Sequence, residues 1–131
     1  MTPATEKRLL QLAMLCALPL LVVVATRTIF AGPEFLARGP VPVDLDSHVR
    51  YLSGIFLVML AGFASCIRDV ERKGALMRLL GAMVIAGGLA RAWSAIDVGP
   101  PTTGHLIGLA LELGITPALL LWQARVARRF A

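Results

Sequence analysis

Arg91 and Glu112 are the residues of this sequence best placed to do chemistry. Each is the one charged group in a long apolar run, Arg91 in Leu79–Ile96 and Glu112 in Leu106–Ala124. An ionisable side chain held in hydrocarbon costs roughly 3 kcal/mol or more, so it is retained where it pairs, lines a polar cavity or carries a function. Their spacing predicts that they meet. Arg91 lies six residues before Asp97, about 9 Å below the end of its helix at 1.5 Å per residue. Glu112 lies eight residues after Gly104, about 12 Å below the same surface. Two antiparallel neighbours with charges at matched depths can neutralise each other. More polar groups share these faces. Arg91 and Ser94 are three apart, and His105, Gly108, Glu112 and Thr116 follow helical spacing. Ser47, Arg50 and Gly54 make a similar stripe behind the acidic pair Asp44 and Asp46. The expectation is a polar, ligand-binding pocket in the outer half of a helical bundle, lined by Arg50, Tyr51, Arg91, Ser94, His105 and Glu112.

Each residue also has a plainer reading. Arg91 with Glu112 can be an interhelical clamp that fixes register. His105 suits a solvated helix start, and Asp46 with Arg50 is an i, i+4 pair. Tyr51 and Trp93 fit an aromatic belt at one membrane interface and Trp122 one at the other. Gly54, Gly81, Gly87, Gly88 and Gly108 let helices approach closely. Pro117 frees the carbonyl of Leu113, so a bend beside Glu112 is expected. Glu112 is the candidate acid/base if a reaction occurs, on the condition that Arg91 does not hold it. There is no nucleophile–base motif and no phosphate loop. No CxxC or Cys/His metal spacing occurs, so no metal is expected. His48 and His105 make a thin basis for haem ligation. The sequence assigns no cofactor and leaves open whether the protein is an enzyme.

The elements that must position these groups follow from composition. Of 131 residues, 57% are hydrophobic and 16% charged, and the mean hydropathy is +0.77. A soluble domain of this length carries more charge. Leu9–Ala25, Tyr51–Ile67, Leu79–Ile96 and Leu106–Ala124 each approach the roughly 20 residues that cross a bilayer. The fold class expected is an all-α membrane protein, a four-transmembrane-helix antiparallel bundle over residues 1–131 as a single domain. Its helices fall near 6–28, 47–67, 75–96 and 104–127, with Asp46 or Ser47 capping the second. Pro19 should bend the first. The first run also has features of a secretory signal, but it is long for a signal core and carries a proline, which favours retention as a span. Lys7, Arg8, Arg68, Arg72, Lys73, Arg78, Arg125, Arg128 and Arg129 fall on one side, nine of the thirteen basic residues. Arg27, Arg38, Arg50 and Arg91 fall on the other, mixed with acids. The positive-inside rule then places both termini in the cytoplasm. The net charge of +5 is a topology signal, and a nucleic-acid partner is not expected because no basic reading face is present. Cys16 and Cys66 should be reduced, packed thiols.

Three stretches, "RYLSG" at Arg50, "GGLAR" ending at Arg91 and "LELGITP" around Glu112, occur in an order that resembles a bacterial family of small four-helix membrane proteins classed as a domain of unknown function. The resemblance covers nearly the whole chain. It implies the four-span layout, and Arg50, Arg91, Glu112 and Pro117 are the positions that match its motif. It implies no activity. More remotely the layout is similar to DoxX-like four-helix proteins, an analogy of fold. The functional expectations are four. The first is a multi-pass protein of the bacterial inner membrane that binds a small amphipathic or lipid-like ligand. The second is a membrane enzyme on a lipid-soluble substrate with Glu112 as acid/base. The others are a small proton-coupled transporter and a structural subunit. The bilayer is the expected partner, and a homo-oligomer is compatible with each.

Overall fold

A computed structural model describes residues 1–37 and 39–131. Arg38, counted above with the basic residues of one side, lies outside the described residues. Helix α1 spans Pro3–Ala31, α2 Val43–Cys66 and α3 Gly74–Asp97. The fourth span, Thr103–Phe130, is built from α4 (Thr103–Ala110), a π-helical turn (Leu111–Ile115) and α5 (Thr116–Phe130). One 3-10 turn, Glu34–Leu36, interrupts the long connection after α1, and no strand occurs among the described residues. All four spans are long and apolar enough to cross a membrane, so the chain is a multi-pass membrane protein. Val58, Leu79 and Leu121 point outward, as expected of helices that are apolar all round and lie in lipid.

Local sequence explains most boundaries. The Thr2 hydroxyl accepts the Thr5 N–H at 3.2 Å, and Pro3 occupies the first turn of α1. That arrangement satisfies one orphan donor and places a residue with no N–H where none is needed. The helix runs through Pro19 as one element and stops at Gly32, whose φ of 82° returns its N–H to Thr28. The positive φ favours glycine there, and a side chain at Gly32 would sit 2.8 Å from Nη2 of Arg50 and displace that guanidinium. The start of α2 corrects the sequence reading. It begins at Val43 behind Pro42, and neither Asp46 nor Ser47 caps it. Pro42 pre-sets the entry, Asp44 and Asp46 favour the first turn through the helix dipole, and Asp46 engages Arg50 instead.

The two ends of the bundle pack differently. Helix α1 lies along α2 and meets the fourth span through α5, while α3 packs on α5 and less extensively on α2. At the end that carries both termini, Leu10, Met14, Cys66, Val70, Met77 and Val126 form a closed core, with Trp122 packed against it. Trp122 is partly buried against this core. Polar ties fasten the loop between α2 and α3 to this end. Gln11 Nε2 donates to the carbonyls of Ile67 (2.7 Å) and Arg68 (3.1 Å), and buried Gln123 donates to that of Val70 (2.8 Å). Glu6, 2% exposed, receives both Arg125 and Arg129 from α5, so the first and last helices are locked together.

Lys7 Nζ lies 2.8 Å from Glu71 Oε2 in the loop, a close ion pair that is not aligned as a hydrogen bond. Burial pushes the Glu71 carboxyl up, but Lys7, the local backbone and Arg72 together pull it further down, so it lies below the usual glutamate range. A carboxyl depressed on folding adds stability above its unfolded value and loses it as pH falls through the folded one. Stability in detergent should fall on acidification from neutral pH, and Glu71→Gln should flatten that slope. An unchanged acid limb in the variant would show that Glu71 is not responsible.

Candidate functional site

Arg91 of α3 reaches across to the fourth span and grips Glu112 with two parallel hydrogen bonds, Nε to Oε2 and Nη2 to Oε1, both 3.0 Å. This fork geometry uses both carboxylate oxygens and adds direction to charge. The expectation from matched depths is thus met. Close approach of the two helices is made by glycine. A Cβ on Gly88 would stand 2.8 Å from Cβ of Glu112 and from Cδ2 of Leu113. Gly81, one heptad earlier, is pressed by Leu120 in the same way. Gly54 and Gly87 have open space where a Cβ would be, so they do not serve close packing as the sequence suggested.

Glu112 sits in the π-helical turn, and Pro117 explains that turn. Proline offers no N–H to the carbonyl of Leu113, four residues back. The Thr116 N–H bonds to the carbonyl of Leu111, five residues back, and the Thr116 hydroxyl donates to the same oxygen at 3.0 Å. One residue more per turn widens the helix here, and such bulges recur at functional sites. The disturbance expected beside the acid is this π-helical turn.

Beside the turn lies a cavity of about 140 Å³. Helices α1 to α3 line it with Leu18, Leu21, Phe56 and Val84, among other apolar side chains. The fourth span contributes Gly108, Glu112 and Thr116, three members of the stripe read from the sequence. Glu112 is the one charged residue among those lining it.

This cavity is apolar, unlike the polar pocket expected from the sequence. Of that pocket's six residues only Glu112 lines the cavity, with Arg91 attached behind it. Arg50 is committed elsewhere, with Nε on Asp46 Oδ2 and Nη1 on the carbonyl of Ile29, both 2.6 Å. It ties α2 to the carbonyl end of α1, where a cation also meets the negative end of the helix dipole. Tyr51 is 64% exposed and lies beside the ring of His48. Ser94 is exposed. The His105 ring shares a hydrogen bond with the Thr102 hydroxyl at 2.9 Å and lies within electrostatic reach of Arg91 and Glu112, yet does not line the cavity. Near the same end Arg27 stacks on Phe35, 4.5 Å from the ring centre.

Sequence reasoning did not find Leu18, Leu21, Phe56 or Val84, because apolar residues in apolar helices carry no signal of which face is inside. It also missed Glu6, whose acidic position in the first turn of α1 reads as an ordinary helix start.

No group of three or more potential metal ligands occurs among the described residues. No curated protein and no solved structure matches the chain. One family model does match, over residues 9–123, which takes in α2 and α3 whole, most of the first and fourth spans, the Arg91–Glu112 pair and Pro117. The chain belongs to the DUF4345 family, a domain of unknown function.

Proposed function

We propose that this protein binds a small amphipathic or lipid-like molecule inside the membrane. The apolar segment next to the polar end lies in the partly open pocket, and the polar end meets Glu112, which Arg91 holds in place. The observation that carries the reading is the juxtaposition of an apolar cavity with an ion pair that lies between two membrane spans, on a widened helical turn. A clamp alone needs no adjoining space, whereas here a partly open pocket adjoins the pair. Ligand sites have this composition: an apolar lining with a few placed polar groups. We place the protein in the bacterial inner membrane with both termini in the cytoplasm, because nine of thirteen basic residues belong to the end that carries the termini. The acid/base reading of Glu112 is less well supported, since both its oxygens are engaged by Arg91.

Gly108 provides the test. It lines the cavity, and a Cβ there would meet nothing closer than Glu112 Oε1 at 3.9 Å. Gly108→Leu should fill the space while favouring the helix by roughly 1 kcal/mol. Mass spectrometry of protein extracted in native membrane particles should find a discrete bound small molecule in the parent. The folded variant should lose at least about nine-tenths of it, the tenfold change that corresponds to 1.4 kcal/mol of binding energy. Equal retention in a folded Gly108→Leu protein would refute the site.

A further inference from the structure

We propose that the molecule bound here is an uncharged lipid that donates a hydrogen bond from its polar end, a long-chain alcohol or its chemical equivalent. This rests on the ligand-binding reading above and names its chemical class. Two features of the site carry it, its charge balance and its hydrogen-bonding character.

The charge is already balanced. Two nitrogens of Arg91 occupy the two oxygens of Glu112. The other arginine expected near the pocket, Arg50, is held by Asp46 and Ile29. No further charged side chain lines the cavity among the described residues. An anionic ligand would compete with Glu112 for Arg91 and strand the carboxylate. A cationic one would compete with Arg91 for Glu112 and strand the guanidinium. Either leaves a charge unpaired in a low-dielectric setting, which is the costly way to break an ion pair. An uncharged headgroup leaves the pair intact.

The polar groups at this end of the cavity are acceptors. Each Glu112 oxygen takes one hydrogen bond from Arg91 and retains a lone pair for a second. The Thr116 hydroxyl gives its proton to the carbonyl of Leu111, which leaves its oxygen as an acceptor. A hydroxyl or amide N–H on the ligand answers this surplus, whereas an ether or ester oxygen adds another acceptor to it.

The test uses four photoactivatable probes of one chain length with the diazirine on the same carbon, ending in a hydroxyl, a methyl ether, a carboxylate or an amine. Each is irradiated with the full chain in lipid nanodiscs, and labelled residues are mapped by mass spectrometry, with Val58 as the lipid-facing control. The alcohol should label Leu21, Phe56 or Val84 at least about tenfold more than the carboxylate or the amine. It should exceed the methyl ether several-fold, as expected for one hydrogen bond. Gly108→Leu should abolish the difference. A carboxylate or amine that labels the cavity as well as the alcohol overturns the uncharged class. An ether that labels equally overturns the donor requirement. Failure of all four to label the cavity above the control overturns the binding reading itself, and this inference with it.

Discussion

Glu112→Ala should destabilise the bundle by about 3 kcal/mol, the lower end of what removing one partner of a buried pair costs. The lower end applies because the two side chains retain 34% and 20% exposure. That exposure offers limited relief, since both groups lie between membrane spans and the solvent beyond them is largely hydrocarbon. The remaining guanidinium has to reach toward the interface or draw water into the gap. Arg91→Leu should cost a similar amount by stranding the acid. The double replacement Arg91→Leu with Glu112→Leu should recover most of the loss, because apolar residues of suitable volume replace buried pairs at little cost. Unfolding in mixed detergent micelles would measure all three. Additive losses in the double variant would show that the two residues do not act as a pair.

Gly88→Ala should cost about 1–3 kcal/mol, the range for overpacking a filled interface, and should loosen the same pair. Leu113 can swing its Cδ2 aside, but Cβ of Glu112 moves only with its helix. Alanine's intrinsic gain over glycine of about 1 kcal/mol in a helix offsets only part of this. The neighbouring Gly87→Ala provides the contrast. Nothing lies within 4 Å of its added Cβ, so it should be neutral or stabilising by up to about 1 kcal/mol. Unfolding measurements on the two adjacent substitutions separate contact from propensity. Equal effects would mean that α3 and the fourth span do not touch at Gly88.

The four spans were legible because membrane helices announce themselves by length and hydropathy, and α1 to α3 deviate from expectation by only a few residues at their ends. The meeting of Arg91 with Glu112 was legible for a related reason. Charges are so costly at depth that matched depths on adjacent antiparallel helices leave few other solutions. Pro117 announced a disturbance but not its form, since a kink and a π turn both follow from one missing N–H. The Asp46–Arg50 pair was legible as an i, i+4 spacing, but the attraction of Arg50 to the end of α1 depends on where the Ile29 carbonyl points, a fact of tertiary structure. The cavity was read with the wrong polarity for a similar reason. Polar residues are conspicuous in an apolar sequence and draw attention to themselves, whereas Leu21, Phe56 and Val84 resemble their lipid-facing neighbours Val22, Val58 and Met83.

The same contrast gives the most direct measurement. Benzoylphenylalanine placed at Phe56, which lines the cavity, and separately at Val58, which is exposed, can be photolysed in intact cells and the adduct masses read on the isolated chain. The account predicts a discrete small-molecule adduct at Phe56 that is absent at Val58, where bulk phospholipid should dominate. The same phospholipid pattern at both positions would contradict it, because the cavity would then be an indentation filled by the bilayer.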